Sequence, residues 1–137
     1  MEIRGIWHGI QIGMTAFGGW LGWALGGLDG FLYALITFMA VDYVTGFMCA
    51  VLDKKLSSEI GFRGLFKKVM VLVMVGIANA VDQHIIGSGQ TVRTAVIFFY
   101  MSNEGISILE NASRIGIPIP EALKQILTQI RERGNKK

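Results

Sequence analysis

Residues 31–52 read FLYALITFMAVDYVTGFMCAVL, a run of apolar residues with one charge, Asp42. A helix rises about 1.5 Å per residue, so about 20 residues cross a hydrocarbon core of roughly 30 Å. The run is long enough and is predicted to span a bilayer. Reading outward, residues 6–28 hold no charge at all, and Asp29 with Gly30 marks the turn between the two runs. Downstream, a third run covers 69–86, with Asp82 near its end and Gly87-Ser88-Gly89 as a turn signal. A fourth covers 92–109 and turns polar in its second half. The expected fold is all-α: a polytopic membrane protein with three to four transmembrane helices and a C-terminal amphipathic helix.

Composition agrees. Apolar residues make up 52% of the 137 residues and charged residues 17%, against about 25% charged in an ordinary soluble domain. Mean hydropathy is +0.49. Such a chain has too little polar surface to cover a small globule in water. Two His and one Cys exclude a structural Cys/His zinc site and any internal disulfide. No cofactor is implied. No nucleophile–base pair is evident from spacing, so an enzyme is not expected. Cys49 reads as a small packing residue.

The net charge of +3 matters less than its placement. No Lys or Arg occurs between Arg4 and Lys54; Lys54, Lys55, Arg63, Lys67 and Lys68 then follow. The second cluster is Lys124, Arg131, Arg133, Lys136 and Lys137. Apolar runs between the clusters argue against nucleic acid and for the positive-inside rule and lipid contacts. Both clusters are expected on the cytoplasmic side, with the third and fourth helices crossing between them. The second helix then runs from outside to inside, and the C-terminus is cytoplasmic. Arg93 is the one basic residue near the outer loop. The N-terminal side stays open between three and four spans. A cleaved signal peptide fits poorly, because the first run is long and studded with glycine.

Phe62, Leu65 and Phe66 alternate with Arg63, Lys67 and Lys68, which reads as a short interfacial helix before the third span. After Asn111, Gly116, Pro118 and Pro120 break the chain. From Glu121, residues Ala122, Leu123, Ile126, Leu127 and Ile130 share one helix face. The expected division is a membrane domain over 1–111 and a cytoplasmic helix with a basic tail over 112–137.

Two sets of residues look purposeful. Gly18, Gly22, Gly26 and Gly30 repeat at i, i+4, as do Gly5, Gly9 and Gly13. Such strips let backbones approach closely, either within the fold or between copies. Gly46 is a further small residue, one turn beyond Asp42. The second set is polar. A carboxylate at the bilayer centre costs about 2.5–3.5 kcal/mol on insertion scales. Asp42, Thr45, Asn79, Asp82, Asn103, Glu104, Ser107 and Glu110 are therefore expected to face one another or an aqueous path. Both readings are open: hydrogen bonds that hold the helices together, or the lining of a pore.

The order of features resembles the toxin-secretion/phage-lysis holin family of phages and prophages of Gram-positive bacteria. The resemblance rests on Asp42-Tyr43-Val44-Thr45-Gly46, Lys54-Lys55-Leu56-Ser57-Ser58, Gly64-Leu65-Phe66-Lys67-Lys68, Asn103-Glu104-Gly105-Ile106-Ser107-Ile108-Leu109-Glu110-Asn111 and Gly116-Ile117-Pro118-Ile119-Pro120. It runs from about Asp42 to Leu127. It implies a multi-pass protein of the bacterial cytoplasmic membrane that forms homo-oligomers and opens lesions. These release an endolysin or a large toxin, with no direct binding to it required. Met14 is an alternative start by the same analogy. A small ion channel or transporter subunit, and a non-conducting anchor or antiholin-like regulator, are the other readings.

Overall fold

The computed structural model describes residues 2–135. Lys136 and Lys137 of the expected basic tail lie outside the described residues, as do the side chains of Leu127, Ile130 and Arg131. The described chain is helical: α1 (Glu2–Ala24), α2 (Gly30–Leu52), α3 (Ser58–Val81), α4 (Thr91–Ile115) and α5 (Glu121–Asn135). A π-type turn (Asp82–Ile86) continues α3. Among the described residues, two helices are long and apolar enough to cross a membrane, Gly30–Leu52 and Ser58–Ile86.

Each boundary has a local cause. The Asp29 carboxylate accepts from the Leu32 amide at 2.9 Å and starts α2. The Ser57 hydroxyl accepts from the Ile60 amide and starts α3. Gly87, at φ +85°, ends the π turn, and Gly116, at φ +108°, ends α4. One expectation is corrected here. The stretch 56–68 is not a separate interfacial helix: α3 runs unbroken from Ser58, because no proline interrupts it and its glycines are tolerated inside a helix.

Helices α2, α3 and α4 make the bundle. Residues pair along α2 and α4 in the same order: Asp29 with Arg93, Phe31 with Phe98, Thr45 with Asn111 and Asp53 with Arg114. The two helices are therefore parallel, and α3 returns between them. Their core is Leu32, Leu35, Met39, Val71, Val75 and Ile97, closed at one end by Leu25. Burying an aliphatic side chain of this size contributes about 1.5–3 kcal/mol in water, and within lipid its close packing does the holding.

Helix α1 stands apart. Residues 2–20 are exposed, including Trp7, Phe17 and Trp20. A Cβ placed on Gly5, Gly9, Gly13 or Gly18 would meet nothing within 4 Å. Only the C-terminal end of α1 is held.

Candidate functional site

Two polar clusters lie in the bundle, one at mid-length and one at the end where α2 and α4 begin. The first is built around Asp42-Tyr43-x-Thr45-Gly46 of α2. Lys68 of α3 donates to Asp42 Oδ2 at 2.7 Å and to Glu104 Oε2 of α4 at 2.6 Å. The three side chains are 13–15% exposed. One ammonium thus joins three helices, and each ion's desolvation is offset by its partners. Asn111 of α4 donates to Asp42 Oδ1 at 3.2 Å, to the Asp42 carbonyl at 3.3 Å and to Thr45 Oγ1 at 2.9 Å. The Thr45 hydroxyl donates in turn to the Val41 carbonyl. The Cys49 thiol, buried, donates to the Asn111 carbonyl at 3.4 Å. Ser107 faces the same cluster. Tyr43 lies over Gly61 and Gly64, and its hydroxyl donates to the Gly61 carbonyl at 3.3 Å. A cavity of about 380 Å³ opens beside this cluster, between α2 and the first half of α3, with Glu104, Ser107 and Asn111 of α4 in its wall.

The second cluster is a clasp on the α1–α2 turn. Arg93 is fully buried. Its Nε donates to the Leu25 carbonyl at 2.6 Å and its Nη2 to the Gly27 carbonyl at 2.9 Å. Its two terminal nitrogens hold the Asp29 carboxylate at 2.7 and 3.2 Å. This is the forked pairing that only arginine offers. The guanidinium draws the Asp29 carboxyl below its usual range. Asn79 of α3 donates to the Ala24 carbonyl at 3.2 Å. Asp82 accepts from the amides of Val92 and Arg93 at 3.1 and 2.8 Å, and so caps α4. Among the described residues, no fully enclosed side-chain nitrogen or oxygen lacks a partner.

The expected polar residues therefore separate. Asp42, Thr45, Glu104 and Ser107 come together at mid-bundle, whereas Asn79 and Asp82 sit at the clasp. Asn103 is exposed, and Glu110 is half-buried. Lys68, expected with the lipid-facing basic residues, turns inward instead, because two carboxylates await it there. Lys54, Lys55, Arg63 and Lys67 are exposed. The expected strip Gly18, Gly22, Gly26, Gly30 is broken. Helix α1 ends at Ala24, Gly26 lies in the turn at φ +89°, and Gly30 opens α2. A Cβ on Gly26 would sit 2.5 Å from Arg93 Nε. Gly22 packs on Leu28, and Gly46 faces Asn111.

Sequence reasoning missed Arg93, Asp29, Asn111 and the inward role of Lys68. One signal was present: Arg93 is a lone cation between apolar runs, as costly there as the carboxylates.

The model of the bacteriophage holin family matches residues 19–132. An uncharacterized protein of Listeria innocua is 42% identical over 118 residues, covering 86% of this chain and 84% of its own length. An uncharacterized 14.9 kDa protein in the nagH 3′ region of Clostridium perfringens is 41% identical over 128 residues, covering 93% and 95%. A probable holin of Bacillus phage phi105 is 31% identical over 107 residues, 78% of each chain. No solved structure matches the chain.

Proposed function

Because this chain belongs to the bacteriophage holin family, we propose that it acts as a holin. It accumulates in the bacterial cytoplasmic membrane, forms homo-oligomers and opens lesions that release an endolysin or a large toxin. In this reading α2, α3 and α4 span the bilayer, and α1 is a fourth, loosely held span. The loop at Lys54 and Lys55, both termini and the segment 112–137 face the cytoplasm.

One observation carries the reading. The three-helix unit pairs its own ions inside, while α1 over residues 2–20 is left exposed in a single subunit. Glycines without neighbours on α1 supply a surface on which helices of other copies can pack closely. The mid-bundle carboxylates supply polar groups that can line an opening once subunits assemble.

The test is inducible expression in a bacterium, following membrane potential and release of a co-expressed cytosolic endolysin. Abrupt depolarisation with endolysin release and lysis is the expected result. Depolarisation with the folded enzyme retained would identify a small-ion channel instead. No change in either would identify a non-conducting anchor or regulator.

A further inference from the structure

The cavity beside the mid-bundle cluster and the core above it divide the bundle into unlike halves. Toward the α2–α3 loop, the cavity runs past Ser57, Gly61 and Tyr43 to a floor of Lys68, Glu104 and Ser107. Toward the opposite end, Leu32, Leu35, Val75 and Ile97 are wholly or almost wholly buried and leave no polar path. At about 380 Å³ the cavity is far larger than one water needs and has room for several. Charged and hydroxyl side chains on the floor supply the two to four polar partners that each ordered water needs. An acyl chain in the same space would lay methylenes on an ammonium and two carboxylates and satisfy none of their remaining hydrogen-bonding capacity, which water does.

We propose that each subunit, before any assembly, carries a one-sided aqueous vestibule. It is open to the cytoplasm, ends at the Lys68–Asp42–Glu104 cluster, and is sealed from the outside by the Leu32, Leu35, Val75 and Ile97 plug. Its orientation rests on the proposed topology; its existence rests on the cavity and its floor. The consequence is a short barrier. Water reaches halfway through the bundle in the resting subunit, and only the plug separates it from the far side.

The experiment is cysteine accessibility in the full chain, with the native thiol removed by Cys49→Ala. Ser107→Cys reports the floor. Gly46→Cys is a second reporter, since its Cβ would meet only Asn111 Nδ2, at 3.8 Å. Ile97→Cys reports the plug, and Ser88→Cys the outer loop. A membrane-impermeant maleimide is added to inside-out and right-side-out bacterial vesicles before lysis is triggered. Expected is labelling of the two floor reporters at least about tenfold faster in inside-out vesicles, as exposure governs thiol reactivity. Ile97→Cys stays unlabelled in both, and Ser88→Cys reacts in right-side-out vesicles. Floor labelling from neither side, with Ser88→Cys still reacting, overturns the vestibule and leaves the topology standing. Exchange of sides by the floor reporters and Ser88→Cys together overturns the topology and leaves the vestibule. Floor labelling from both sides overturns the plug. As a separate readout, Leu35→Ser wets the plug and brings depolarisation forward after induction. An unchanged onset at equal protein level would count against the seal.

Discussion

Lys68 holds two carboxylates from two different helices, so its loss leaves both without their cation. Lys68→Met is expected to destabilise the bundle by about 1–3 kcal/mol, below the cost of breaking a fully buried pair, because the cavity lets water reach the carboxylates left behind. Adding Asp42→Asn and Glu104→Gln to it should recover much of the loss, because the triple variant buries no unpaired charge. Thermal unfolding in detergent, read by circular dichroism, checks both. At the clasp, Gly26→Ala and Gly27→Ala separate two causes. Both positions need positive φ, at +89° and +101°, which costs a non-glycine residue about 1 kcal/mol or more. Only Gly26 also meets Arg93 and Asn79, so it should be the worse substitution in the same measurement. Asp29 gives the clasp a pH dependence. Its hydrogen bonds to Arg93 lower its folded pKa below the ordinary Asp value of 3.8. The stabilisation it adds is therefore complete above 3.8 and is lost only as pH falls through the lowered value. A pH titration of unfolding should show this contribution constant from neutral to mildly acidic pH.

Helix α1 and helix α3 show what an element inherits from its surroundings. Gly9 and Gly13 of α1 have no neighbours, so Gly9→Leu with Gly13→Leu should leave a subunit's fold and level intact. If α1 mediates assembly, the same variant forms fewer oligomers by chemical crosslinking and lyses late. Normal oligomers and normal lysis would remove α1 from the assembly surface. Gly26→Leu would be a poor version of this test, since it breaks the turn rather than the helix face. Helix α3 with its π turn covers Ser58–Ile86, 29 residues. At about 1.5 Å each this is roughly 44 Å, longer than a hydrocarbon core of about 30 Å. The excess places the first turns, with exposed Phe62, Arg63 and Phe66, at the proposed cytoplasmic interface. Those residues belong to α3 itself and not to a separate helix.

In the whole molecule, the charges inside the bundle gather in two clusters while most large apolar side chains of α1, and many of α2 and α3, face outward. Asp42→Asn weakens the mid-bundle cluster without adding charge, so it should shift the onset of lysis more than it lowers the amount inserted. Immunoblotting of membranes alongside lysis curves checks this, and an unchanged onset would separate the cluster from opening. The sequence by itself determined the helices and the likeness to the holin family, because both are written locally. Apolar run length, N-caps such as Asp29 and Ser57, and breakers such as Gly87 and Pro118 act within a few residues of where they stand. It also marked Asp42, Glu104 and Asp82 as costly and in need of partners. Which partners they take was decided only by the tertiary structure. Lys68 lies 26 residues from Asp42 and 36 from Glu104, and Arg93 lies 64 from Asp29. No local rule links such positions. Their pairing follows from parallel α2 and α4 with α3 returning between them, which brings distant charges within 3 Å and turns an apparent topology signal, Lys68, into the tie that joins three helices.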